Sequence, residues 1–392
     1  MIQIFDSAKS RIKHSVRVLI SLWENLRQRD ANILEIGRIA KYGRELPAGL
    51  SLVSRVTGSK PRSNLRFAQS DETFRNGAWE RTPRNRYEAE FEGDWVLAAQ
   101  HVFVASHGEV KLEDGRFLHF PHLDIQKPLG NTRQQTIGVV DEPVWVIQNW
   151  TEAFGHWLLH VMPRIHLARM LDPERRIMTS HPAWDPGGLL ALEGLKTADV
   201  LWFPKDNEPD GYLRVSDAKF VSHAVPRGNV HVYPLFTHRF DPIISDYQAK
   251  ANKKSPVGKR IYVSRQTKAA TQNREGCQNR AELEGFFAER GFEVVYPERY
   301  AIPEQIAMFR DAEFIVAEGG SAPHLALFSR PGIKLVYISA ELATINKNWQ
   351  RRIADYKGLN YRHIIPTKEK SQRKYTANMD QVRKAFESLP WQ

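Results

Sequence analysis

Three groups of residues in this 392-residue chain combine side chains that move protons or hold anions. The first is residues 149–164, NWTEAFGHWLLHVMPR, where Glu152, His156 and His160 recur at i, i+4 and i+8 and share one face of a helix. Arg164 follows them, past a kink expected at Pro163. Imidazole titrates near neutrality, so His156 fits a general base that Glu152 would orient. The same two histidines also fit a metal, although the order is not HExxH and no further Cys or His stands at a ligand spacing nearby. The plain alternative is a histidine pair satisfied at a surface between domains.

The second group is Tyr262, Val263, Ser264 and Arg265, followed by Lys268 and Arg274. Arg265 falls just past an apolar run, and its forked donors suit a diphosphate. A solvated basic loop is the competing reading. The third group is Glu318, Gly319, Gly320, Ser321, Ala322, Pro323 and His324. It matches neither the dinucleotide fingerprint nor the Walker lysine loop. Its place between a buried strand and a helix is what matters. There, backbone N–H groups and the helix dipole hold anions. Ser321 would cap the helix or bind a phosphate, His324 would reach a phosphate or ribose, and Glu318 would accept from hydroxyls. A tight turn that needs glycine for its positive φ explains the same residues without a ligand.

The elements that must position these groups are legible in the second half of the chain. KRIYVS (259–264), FEVVY (292–296), EFIVA (313–317) and IKLVYI (333–338) read as buried strands. Helix-period segments lie between them, at about 280–290, 303–311 and 322–329. Such alternation builds a parallel α/β sheet, with ligands outside the carboxyl ends of its strands. Asn279 with Glu282 has capping-box spacing, Gly291 suits a helix end, and Pro303 suits a first helical turn. Earlier, 95–105 and 110–120 predict a β meander, 144–148 a strand, and Thr151 the cap of the helix that carries His156. Further strands are expected at 200–203, 219–222 and 361–365, and a last helix at about 380–388. Residues 43–93, rich in Arg, Ser, Gly and Pro, read mostly as loops and short elements.

Bulk composition narrows the classes. Hydrophobic residues at 42%, with ten Trp and nineteen Phe, support real cores, and the length suits two domains. A net charge of +11 favours anionic partners. No basic block, metal-finger pattern or RNA-binding strand motif accompanies it, so nucleic acid is not an expected partner. The single cysteine, Cys277, allows neither an internal disulfide nor a multi-thiolate metal site. No run of 18 apolar residues occurs and no signal-peptide core is evident, which suggests a cytoplasmic protein. Residues 9–29 pattern as an amphipathic basic helix, docked on its own domain or lying on an anionic membrane.

The ordered set of these pieces resembles glycosyltransferase family 61, which includes bacterial capsule-type transferases and eukaryotic O-linked N-acetylglucosamine and xylose transferases. The matching residues run from Phe154-Gly155-His156-Trp157-Leu158-Leu159 and Met162-Pro163-Arg164 through 260–265 and 291–295 with Pro297-Glu298. They continue with Glu304-Gln305-Ile306, the loop from Glu318 to His324, Phe328 and Pro331-Gly332. The resemblance covers about residues 95–340. It implies a GT-B-like architecture of two Rossmann-like domains whose parallel sheets face a central cleft. In that arrangement 1–93 hold the N-terminal helix and an irregular segment, and 94–249 form the acceptor-side domain. Residues 250–375 form the nucleotide-sugar-binding domain, and 376–392 are a helix able to fold back on the first domain. The activity implied is inverting transfer from a nucleotide sugar to a hydroxyl of a glycan or lipid-linked acceptor, without metal or other cofactor. Surface-polysaccharide synthesis at the inner face of a membrane is the implied setting. His156 with Glu152 would be catalytic and His160 and Arg164 would face the acceptor. Arg265, Lys268, Arg274, Glu298, Gln305, Glu318, Gly319, Gly320, Ser321 and His324 would bind the donor. The chain departs from the usual pattern at His160, Gly319 and Pro323, where the family favours an acidic residue, a histidine and an aliphatic residue. A binding protein for nucleotide sugars or anionic glycans is the alternative these departures suggest.

Overall fold

The computed structural model describes residues 33–35, 50–56, 71–75, 78–82, 94–105, 110–113, 117–119, 135–147, 153–203, 211–221, 240–265, 276–339, 349–366 and 374–390. The helix expected over 9–29 and the Thr151 cap lie outside them. Among the described residues the chain forms two large sheets with helices, a mixed α/β fold.

The first sheet has ten strands and is mixed rather than parallel. Its centre is a long antiparallel pair, Asp94–Ala105 against Gly211–Val221. The meander expected over 94–120 is present, since Val110–Lys111 and Phe117–His119 continue antiparallel from Asp94–Ala105. On the other side Val144–Ile147, Arg176–Thr179 and Val200–Trp202 run parallel. Val144–Ile147 is buried at every residue, as a parallel strand covered on both faces must be. The antiparallel half follows from the short, turn-punctuated spacing of the meander, which leaves no room for crossover helices.

The second sheet has seven strands in the order Glu293–Val295, Arg260–Val263, Phe314–Glu318, Lys334–Ile338, Asn360–Ile364, Asp71–Arg75 and Ala78–Thr82. All neighbours are parallel except the last pair, which runs antiparallel and comes from a stretch whose sequence suggests only loops and short elements. Val263, Ala317, Tyr337 and His363 stand level across four adjacent strands, so Ser264, Glu318 and Ile338 lie together at one edge.

Each face of this sheet has its own core. Tyr262, Val316, Val336 and Ile364 point toward helices Arg280–Ala288 and Met379–Glu387. Phe287 and Phe386 meet there edge-to-face at 5.3 Å, a geometry that adds about 0.5–1.5 kcal/mol beyond area burial. The closing helix thus packs on this sheet rather than folding back on the first unit. Its Val382, Ala385, Phe386 and Leu389 stripe matches the helical repeat and fits an aromatic surface. The opposite face carries Ile261, Val263, Ile315 and Leu335. Its core runs without a break into Trp157, Leu159, Ile165 and Ile177 beside the first sheet. Helix Phe240–Lys250 ties the two together: Lys250 Nζ donates to Leu192 O at 2.6 Å, and Gln248 Nε2 donates to Phe328 O at 2.7 Å.

Two local expectations change. Asn279 does not cap its helix with its side chain. Its amide instead pairs with the backbone of Ala377, accepting at 2.7 Å and donating at 2.9 Å, which satisfies both polar groups of a buried residue just past the Lys374–Tyr375 strand. Ala322–Phe328 is 3-10 rather than α-helical, with the His324 amide bonded to Ser321 O. Gly291 does close its helix, at φ +76°, and Pro303 sits in the first turn of helix Ile302–Asp311.

Candidate functional site

The site assembles from loops at the carboxyl edge of the second sheet and from the helix that carries His156. That helix begins at Phe154 and passes into a π-helical stretch, Trp157–Val161, closed by the Met162 amide bonding to Trp157 O. Such wide turns cost regular hydrogen bonding and recur at functional sites. His156 and His160 stack there at 5.2 Å between ring centroids, with 17° between their planes. Arg164 lies one turn on in helix Met162–Leu171, fully buried, its Nε donating to His160 O at 2.8 Å. Burial brings the Arg164 guanidinium down to about 9.

Gly155 is the point where this helix meets the glycine loop. A Cβ there would stand 2.9 Å from both Cε1 and Nδ1 of His324. The His324 ring therefore rests directly on the Gly155 backbone, and glycine is the residue that permits it. Nδ1 of His324 is 2.8 Å from Ser321 O. A carbonyl only accepts, so Nδ1 carries the proton and Nε2 is left as an acceptor. Burial pushes His324 down to about 4, and the neighbouring His156 acts in the same direction. His156 itself is lowered to about 4 by burial. Both imidazoles are neutral at physiological pH, so neither supplies positive charge to a bound anion.

A second close approach joins Arg265 to the same loop. Gly320 has φ +142°, and a Cβ on it would lie 3.1 Å from Arg265 Nε and 3.3 Å from Cδ and Cζ. The glycine thus serves both a backbone conformation closed to other residues and the passage of the guanidinium. Gln350 Nε2 donates to Gly320 O at 3.1 Å, a support that no sequence motif pointed to. The Gly319 amide is used in sheet pairing with Ile338 O at 2.9 Å. The amides of Gly320 and Ser321 make no hydrogen bond among the described residues, and the Ser321 side chain does not cap the following turn.

Glu318 occupies a different place from the one its motif position suggests. It is 2% exposed and accepts from Tyr262 Oη at 3.0 Å, Ser264 Oγ at 3.2 Å and Arg280 Nε at 3.2 Å to each carboxylate oxygen. Burial raises its pKa while Arg280, Tyr262 and Ser264 oppose that shift. Its oxygens are committed to the protein, which makes it the anchor of the site floor. Ser264 shares its single hydroxyl proton between Glu318 and Glu284, whose oxygen is the nearer at 2.6 Å, and Tyr296 Oη donates to the Glu284 carboxylate at 2.8 Å. Gln305 is buried with its amide nitrogen on Tyr300 O at 2.9 Å, while Glu298 is exposed beyond the Glu293–Val295 strand. Glu152, Lys268 and Arg274 lie outside the described residues. Among the described residues no group of three His, Cys, Asp or Glu side chains converges on a metal position.

The structure thus brings Gly155, His156, Arg265, Gly320 and His324 into one neighbourhood. Sequence reasoning missed Arg280 and Gln350, whose value lies in contacts 38 and 30 residues away along the chain. Also among the described residues, no helix is long and apolar enough to cross a membrane. No curated protein matches this chain. The sequence model described as Glycosyltransferase 61 matches residues 154–336, from the start of the Gly155 helix to the Lys334–Ile338 strand. The stretch that holds both close approaches is therefore a glycosyltransferase family 61 domain, and this protein is a glycosyltransferase.

Proposed function

We propose that the enzyme is an inverting, metal-independent transferase that moves a sugar from a nucleotide-sugar donor to a hydroxyl acceptor. The observation that carries this reading is the seating of His324 on Gly155, which sets two neutral imidazoles beside the Arg265 and Gly320 corner. In the reaction the acceptor hydroxyl attacks the anomeric carbon from the face opposite the nucleotide. The bond to the leaving diphosphate breaks, and its electron pair departs with the phosphate oxygen. The acceptor proton passes to an imidazole, with His156 as the base. His156 and His324 repel a second proton, so the pair takes up one, which is what the reaction releases. Arg265 and the amides of Gly320 and Ser321 meet the charge on the diphosphate.

The metal-independent reading has support in the residues themselves. The chain has no Asp-x-Asp motif. Domain roles follow the same reading: a GT-B arrangement, with 94–249 on the acceptor side and 250–375 on the donor side. The strands at 71–82 and the Met379–Glu387 helix then complete the donor-side unit. The basic charge suits anionic donors and a glycan or lipid-linked acceptor of a surface-polysaccharide pathway, handled at the cytoplasmic face of an anionic membrane.

The test is a screen of UDP-, GDP-, CMP- and dTDP-sugars for slow donor hydrolysis and for transfer, with the anomeric product read by NMR. Inversion with one donor class, lost in a folded His156→Ala variant, is the expected result. Full transfer rate in that variant overturns the base assignment, and a retained anomeric configuration overturns the inverting mechanism.

A further inference from the structure

We propose that Arg280 is a second phosphate-binding cation of the donor site, aimed by Glu318; this assignment rests on the nucleotide-sugar reading above. Arg280 opens helix Arg280–Ala288 and its side chain is 13% exposed. Only its Nε is engaged, 3.2 Å from each oxygen of Glu318. Its two terminal nitrogens make no hydrogen bond or ion pair among the described residues. A guanidinium held through Nε alone, at a half-buried position where its terminal nitrogens are still reached from solvent, has those donors ready for an entering ligand.

Its tether says where it works. Glu318 immediately precedes the Gly319-Gly320 turn, and Ser264, which donates to the same carboxylate, immediately precedes Arg265. One buried acid therefore ties Arg280 to the roots of both anion-facing segments. Holding Nε in a carboxylate leaves the outer pair of nitrogens as a preformed fork, the geometry that matches phosphate oxygens. The demand for such a group is plain, because His324 is neutral and cannot share the diphosphate charge. The donor supplies two phosphate groups, and among the described residues Arg280 adds a second fork to that of Arg265.

The decisive comparison uses titration calorimetry with nucleoside diphosphates of the four bases, each paired with its nucleoside. Arg280→Ala alone strands the buried Glu318 carboxylate and risks unfolding. The informative protein is therefore the double variant Arg280→Ala with Glu318→Gln, in which the neutral amide keeps an oxygen to accept from Tyr262 and Ser264. The expected result is a loss of about 10- to 100-fold in affinity for the diphosphate that wild type binds, with the nucleoside unchanged. Glu318→Gln alone, which keeps the guanidinium but loosens its aim, should fall between wild type and the double variant; an affinity as low as the double variant's would assign the loss to Glu318 and overturn the role of Arg280. If the double variant binds the diphosphate like wild type, Arg280 serves only the ion pair and the assignment falls while the donor reading stands. If wild type binds no nucleoside diphosphate, the donor reading falls and takes this assignment with it.

Discussion

Gly155→Ala is a small change with a large expected effect. Position 155 is helical, so alanine gains up to about 1 kcal/mol of intrinsic preference there. Against that gain, the new methyl lands 2.9 Å from Cε1 and Nδ1 and 3.1 Å from Cγ of His324. Carbon contacts settle near 3.5–4.0 Å, so the ring must retreat by roughly 0.7 Å. The retreat strains the 2.8 Å bond from Nδ1 to Ser321 O, worth about 1 kcal/mol net. Overpacking of a buried contact adds about 1–3 kcal/mol. The sum is a destabilisation of about 1–3 kcal/mol, with transfer reduced about 100-fold by the displaced imidazole. Urea unfolding followed by tryptophan fluorescence reads the first, and initial transfer rates at saturating donor read the second. An alanine variant with wild-type midpoint and wild-type rate refutes the seating of His324 on Gly155. A variant that loses stability but keeps its rate separates that seating from catalysis.

Three other outcomes follow from the same geometry. His156 and His324 fall from 6.5 to about 4 on folding, so the unfolded chain binds more protons between those values. Stability from either group is complete above pH 6.5 and lost as pH falls toward 4, about 3 kcal/mol for one imidazole. The gap in urea midpoint between wild type and a folded His324→Asn variant should therefore shift in favour of the variant as pH falls through that window; a gap constant with pH contradicts it. Gly320→Ala places a side chain at φ +142° and against Arg265, costing about 1–3 kcal/mol and at least tenfold in nucleotide affinity by calorimetry. Unchanged affinity would detach the loop from donor binding. Dialysis against a chelator should leave the transfer rate unchanged, and loss that Mg²⁺ or Mn²⁺ restores would overturn the metal-independent reading.

The alternation of the second sheet was legible in the residues alone. Phe314–Glu318 and Lys334–Ile338 are apolar runs of strand length, and a strand covered on both faces leaves no other pattern to write. The Gly319-Gly320 turn and Arg265 could also be placed at strand ends, since chain order alone puts them there. The antiparallel pair Asp71–Arg75 and Ala78–Thr82 was not legible. Its charged, short strands sit at a sheet edge, where little apolar patterning is required. Nor were the protein partners of Glu318, whose motif position suggests a ligand group. Folding sets its carboxylate among Tyr262, Ser264 and Arg280, and settles His324 on Gly155. Local patterns record periodicity and turn chemistry. The choice of which buried acid meets which donor, and which ring lies on which glycine, depends on atoms brought together from distant parts of the chain, where burial makes each unmet partner expensive.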